Sequence, residues 1–138
     1  MAKAASSPEL KQAFDEHLQL TQEHVARLEQ ILSDLNEKPR GKKCEGMHGL
    51  VTEGEEEIKK KEEDPIIKDA GLIAAAQRVE HYEIAGYGTV RTFAEILGLN
   101  EAAETLQQTL DEEGEADKML TSISENLLSS QRQSGGEL

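Results

Sequence analysis

Three segments of this chain carry an apolar stripe at helical spacing, and each stripe is broken near its middle by side chains that water would hold. In "AAAQRVEHYEIAGYG", residues 74–88, the interruptions are Glu80 and Glu83, set among alanine, isoleucine, valine and tyrosine. Carboxylates are seldom fully buried unless paired or bound to a cation. With 28 acidic residues to place, the chain has no shortage of charge for its surface. Any fold it adopts must therefore compensate the interior acids or turn them outward.

The first stripe follows "SSPEL", where Ser7 suits an N-cap, Pro8 the first helical position and Glu9 the positive end of the dipole. Leu10, Phe14, His17, Thr21, His24, Leu28, Ile31 and Leu35 keep 4-3 spacing until "NEKPRG" stops the run. This predicts a helix over about 8–36. "DPII" opens a second long helix, about 65–97, with Asp64 as cap, Pro65 at the first position and Gly98 as the stop. Its inward stripes are Ile66, Ile73, Glu80, Tyr87, Ala94 and, beside it, Ala76, Glu83, Val90, Leu97. Gly86 and Gly88 permit close backbone approach or a slight bend. Asn100 caps a third long helix, about 101–128, whose stripe reads Ala103, Leu106, Leu110, Glu113, Asp117, Leu120, Leu127.

Between the first two lies a weaker pattern of Cys44, Met47, Val51 and Ile58, predicting a crossover helix near 43–61. Gly46, Gly49 and Gly54 lower its helix propensity by about 1 kcal/mol each relative to alanine. "EEEIKKKEED" closes it as a solvated run. "SSQRQSGGEL" reads as a disordered tail over 129–138, which leaves one domain over 1–128.

Composition agrees with an all-α class. Helix formers dominate, there is no Trp, only two Phe and two Tyr, and no stretch alternates β-branched residues with period two. A net charge of −13 argues against nucleic acid and against an anionic membrane, both of which call for concentrated Lys and Arg. The same charge attracts small cations. Cys44 is the sole cysteine, so no intrachain disulfide and no Cys-x-x-Cys metal motif can form. With no signal-peptide pattern at Met1 and no long apolar run, the default location is the cytoplasm.

Antiparallel packing with short loops would bring the three breaks to one level: His17, Thr21 and His24; Glu80 and Glu83; Glu113 and Asp117. On a helix, side chains three residues apart root about 5–6 Å from each other and can share a ligand. Buried carboxylates this close repel and take up protons unless a cation neutralises them. Hard oxygen donors with one imidazole suit iron or manganese better than structural zinc. The competing reading is that the stripes are displaced by one residue, or that the acids pair with Arg78, Arg91 or Lys118. His17 reads as a core histidine or one behind the ligands, His48 and His81 as solvent-exposed, Tyr82 and Tyr87 as packing groups.

"LIAAAQRVEHYEIAGYGTVRTFAEILG", "EHLQLTQEHVARLEQI" and "LDEEGEADKML" resemble the YciE/YciF family of bacterial stress proteins, within the ferritin-like superfamily, over roughly residues 1–125. The resemblance implies a ferritin-like four-helix bundle with a carboxylate-bridged dinuclear metal centre between its helices. Carried over residue by residue, it implies His24, Glu80, Glu83, Glu113 and Asp117 as metal ligands. Two positions depart from the family: Leu20 stands where a Glu or Gln is usual, one turn before the histidine. The Glu-x-x-His pair of ferritin-like sites is also missing, because Thr21 stands three before His24 and Ala116 three after Glu113.

Family members carry a further long helix ahead of "MAKAASSPEL" that supplies a carboxylate ligand and one wall of the core. Its absence predicts an incomplete centre, or one completed by another chain. It also predicts an open apolar face and hence a homodimer or higher homo-oligomer. Functionally, the expectation is an iron or manganese oxidase, peroxidase or iron-handling protein. The alternative is a non-enzymatic helical interaction module that oligomerises through the open face.

Overall fold

The computed structural model describes residues 1–134 of the 138, the side chains of 130–134 excepted, and it is helical throughout, with no strand among the described residues. Four α-helices follow a short 3-10 turn at Ala2–Ala4. Ser7 Oγ accepts from the Leu10 amide at 3.3 Å and Pro8 opens α1, Pro8–Asp34. The helix ends at Asn36, whose φ of 57° is a left-handed conformation that asparagine tolerates. Cys44 caps α2, Glu45–Lys59. Asp64 Oδ1 accepts from the Ile66 and Ile67 amides at 2.8 and 3.3 Å, capping α3, Pro65–Ile96. Gly98, at φ 71°, turns the chain sharply into α4, Asn100–Ser134. The expected bounds of the first three helices hold to within two residues.

The fourth helix is longer than expected. The disordered tail expected over 129–138 is corrected for 129–134, which continue α4; its last four residues lie outside the described ones. "SSQRQS" contains neither Gly nor Pro, and an established helix extends at one backbone bond per residue without a new nucleation cost. Asn100, expected as cap, is instead the first helical residue.

α3 and α4, joined by a tight link, make the most extensive contact; α1 lies on α4 and α2 on α3. α1 is also fastened to α3 at its start. The buried Asp69 of α3 accepts from the Ser6 and Ser7 amides at 2.7 Å each, which satisfies donors that the start of α1 leaves unpaired. Next to this anchor, Leu10 and Ala13 of α1 pack with Leu72, Ile73 and Ala76 of α3 and Leu120 and Ile123 of α4. Leu10, Leu72, Ile73 and Ile123 are fully buried, each contributing roughly 1.5–3 kcal/mol. A second apolar cluster at the far end joins Ala94, Ala103 and Leu106 with Leu28, Ile31 and Tyr87. Between the two clusters lies the level at which all three stripes are broken.

Some expected core positions face outward. Leu35, Val51, Ile58, Val90 and Leu97 are exposed, as are Leu18, Val25, Phe93 and Ile96. Their apolar stripes are wider than the contacts that neighbouring helices make with them. No helix of the described residues is long and apolar enough to cross a membrane.

Candidate metal centre

His17 and His24 stand two turns apart on α1, Glu80 and Glu83 one turn apart on α3, and Glu113 midway along α4. Capping and the Asp69 anchor set the register of α1 against α3, and the apolar clusters on either side hold the three helices at one level. Donor atoms of His17, Glu80 and Glu113 all fall within 4.8 Å of one another. His17 Nε2 lies 3.2 Å from Glu80 Oε1 and 3.7 Å from Glu113 Oε2. Glu113 is wholly buried and Glu80 nearly so, at 0% and 3% exposed.

The charges here are in conflict. Burial first, then the neighbouring carboxyl groups of Glu80 and Glu83, push the Glu113 carboxyl up to about 9. Burial, reinforced by Glu80, also raises Glu83, which is half-buried. His17 is raised by its hydrogen bond to Glu80, against the effect of burial. Without a cation, the cluster thus relieves itself by protonation. Polar atoms confirm the shortage of partners. Glu80 Oε2, both Glu113 oxygens, His17 Nδ1 and His24 Nδ1 are buried with no hydrogen bond; among the described residues the only other such atom is Arg91 Nε. Native interiors leave few such groups, and each calls for a cause.

His24 is 2% exposed and sits between two carboxylates. Its Nε2 is hydrogen-bonded to Glu112 Oε2 at 2.8 Å, and its Nδ1 lies 3.0 Å from Glu113 Oε1 without hydrogen-bond alignment. Arg27 grips Glu112 with both guanidinium nitrogens, Nη1 to Oε2 at 2.5 Å and Nη2 to Oε1 at 3.0 Å. Nη1 also donates to Thr109 Oγ1 at 3.1 Å. The Arg27 fork, helped by Gln108 and His24, holds Glu112 down to about 2, so Glu112 is a fixed anion. Tyr87 meets the His24 ring edge-on at 6.1 Å, and burial pushes its phenol up to about 12.

Of the five residues expected as ligands, Glu80 and Glu113 stand in one cluster with His17, His24 lies 3.0 Å from Glu113, and Glu83 lies close enough for its charge to act on Glu113 and His17. Asp117 is engaged elsewhere, accepting from Gln77 Nε2 at 3.0 Å and lying 3.3 Å from His81 Nε2. His17, read as a core histidine or one behind the ligands, lies within 3.7 Å of both Glu80 and Glu113. The competing arginine pairs do not form: Arg78 meets Glu53, and Arg91 meets Glu95. His48 and His81 are exposed, as expected. Glu112 and Arg27 were not anticipated. The signal for them is the i, i+3 pair of His24 and Arg27, two donors on one helix face that call for an acid on α4.

Residues 1–133 match the family model described as Domain of unknown function (DUF892). Protein YciF of Escherichia coli (strain K12) is 46% identical over 127 residues, which span 91% of this chain and 76% of that protein. The crystal structure of the E. coli stress protein YciF superposes with a TM-score of 0.87 at 44% identity, covering 93% of this chain and 80% of that one. YcfI from Rhodopseudomonas palustris gives 0.80 at 37% identity, covering 87% and 76%. The resemblance to the YciE/YciF family read from the three quoted segments is borne out.

Proposed function

Because this chain belongs to the family of the domain of unknown function DUF892, we propose that its broken core is a ferritin-like metal centre for iron or manganese. The observation that carries this reading is the set of buried donor atoms without partners on Glu80, Glu113, His17 and His24. A cation among them would replace the proton that burial forces onto Glu113 and relieve the repulsion from Glu80 and Glu83. Carboxylate oxygens with imidazole nitrogens suit iron or manganese.

Glu80, Glu113 and His17 would hold a first ion, with Glu83 and His24 beside them for a second. Asp117 belongs to the set through the family resemblance alone. Glu112, fixed by Arg27, would orient His24 from behind, as carboxylates do for ligating histidines. Iron or manganese supplies electron exchange with dioxygen or peroxide, so the role is an oxidase, a peroxidase or an iron-handling protein in a stress response. The chain's own part is to release the Glu113 proton as a cation enters and to keep water out through the apolar clusters above and below.

A second reading rests on a separate observation. Leu18 and Val25 on α1 and Phe93, Ile96 and Leu97 on α3 are exposed, which favours a non-enzymatic module that assembles through such apolar side chains. Elemental analysis after anaerobic reconstitution with ferrous or manganous ion separates the two. About two equivalents per chain, lost in Glu80→Gln with Glu113→Gln, supports the metal centre. No retained metal in the parent leaves the interaction module.

A further inference from the structure

An ion held by His17, Glu80 and Glu113 must pass through protein to reach them, because the Glu80 and Glu113 side chains are only 4% and 0% exposed. His17, at 22%, is the member of the cluster that meets solvent. It does so at a cavity of about 110 Å³ between α1 and α4, which Glu80 also borders. The cavity therefore joins the surface to two of the three clustered residues. Its charge has one sign. Glu16 of α1 and Glu112 and Glu115 of α4 line it with Glu80, and no lysine or arginine does. Glu112 is already paired with Arg27, which leaves Glu16 and Glu115 as the acids of its exposed mouth. The remaining wall is apolar, with Phe14 and Met119 in it.

We infer that this cavity is the route by which a hydrated divalent cation enters the centre, an inference that rests on the metal reading of the cluster. A cleft with low-dielectric walls and charge of one sign focuses the field, raising the arrival rate of an oppositely charged ion by about 10- to 1000-fold. Acids alone on an open surface do not have this effect, since salt screens them. The apolar wall and the acidic mouth thus act together. Size fits as well: the cavity has room for several waters, so the ion enters with part of its hydration shell. A larger cavity, bounded by the end of α1 and the start of α4, includes Arg27 and touches none of the three clustered residues.

Cobaltous ion, whose visible absorption changes when imidazole and carboxylate replace water, is mixed rapidly with the metal-free full chain. Both the filling rate and the final metal content are read. The parent's rate should fall as salt is added. Glu16→Gln with Glu115→Gln should slow filling by roughly three- to tenfold at low ionic strength and flatten that salt dependence, with final content unchanged. Glu55→Gln with Glu56→Gln removes the same charge from α2, outside the cavity, and should fill at the parent's rate. Ala116→Leu narrows the cavity and should slow filling while the salt dependence stays. The route is overturned, and the centre kept, if the mouth variant fills as fast as the parent, if the α2 variant slows as much, or if the narrowed cavity fills no slower. Lower final content in the mouth variant makes Glu16 and Glu115 ligands and overturns the route as well. A parent that binds no cobaltous ion loses the centre and the route together.

Discussion

His17 Nε2 stands 3.2 Å from Glu80 Oε1, and the contact joins α1 to α3 at the level where both lose their apolar stripes. It sets the His17 imidazole beside a carboxylate, and the imidazole pKa rises in answer. Glu113, 3.7 Å from the same nitrogen and fully buried, is left to take the proton.

That division gives stability a pH dependence. The Glu113 carboxyl titrates at about 9 in the fold against 4.5 for an ordinary glutamate, so the folded chain keeps a proton that the unfolded chain releases across this window. Metal-free stability therefore falls as pH rises from about 5 to about 9 and levels off above. Glu113→Gln removes the titration while keeping shape. In chelator the variant should be more stable than the parent by ~1 kcal/mol or more at pH 9, converging with it toward pH 5. Thermal melts across that range check this, and a variant less stable than the parent at pH 9 would count against the buried-acid account.

Glu112 runs the other way. Arg27 holds its carboxylate at about 2, below the ordinary 4.5, so its contribution is present above about pH 5 and lost as pH falls toward 2. Glu112→Gln should cost about 1–3 kcal/mol at neutral pH, because the Arg27 fork and the His24 nitrogen lose a charged partner. The deficit should narrow below pH 4. Urea melts at pH 7 and pH 3.5 measure it, and an equal deficit at both would show that the pairing carries no charge-dependent share.

Asp69 predicts a purely structural loss. Its two oxygens accept the Ser6 and Ser7 amides at the start of α1 from α3, more than sixty residues away in sequence. Asp69→Ala should cost about 2–4 kcal/mol, given two hydrogen bonds to a buried charge. Hydrogen exchange should quicken at Ser6, Ser7 and Leu10 before the middle of α1 opens. Unchanged protection there would mean that Ser7 caps the helix unaided.

Local signals were legible where local physics decides. Ser7, Asp64 and the two prolines set helix starts, and Gly98 set a stop, because each acts within a few residues of itself. The interior acids were legible from periodicity, since Glu80 and Glu113 fall on stripes that are otherwise apolar. Asp69 was not, for its partners are amides brought close only by the fold. Nor was Glu112. Side by side with Glu113, it points to a different helix face, and only the position of Arg27 explains its burial. Leu35, Val90 and Leu97 lie on the predicted stripes yet stay exposed, because periodicity shows which face is apolar but not how much of it a neighbour covers.

Those uncovered residues carry the last prediction. On α3, Val90, Phe93 and Leu97 follow i, i+3, i+7 spacing with Ile96 beside them, and on α1 Leu18 and Val25 stand two turns apart, all exposed. Monomers seldom leave such faces to water, and a self-complementary pair related by a two-fold axis would bury them. We propose a homodimer held by this surface, with Phe93 and Ile96, 57% and 75% exposed, contributing most. Phe93→Glu with Ile96→Glu touches neither apolar cluster nor the metal residues. It should therefore dissociate the dimer while helicity and metal uptake hold. Light scattering at tens of micromolar reads the mass directly: twice the chain's 15.2 kDa for the parent and a single chain for the variant. A parent that runs as a well-behaved monomer would sink the dimer, and with it the interaction-module reading.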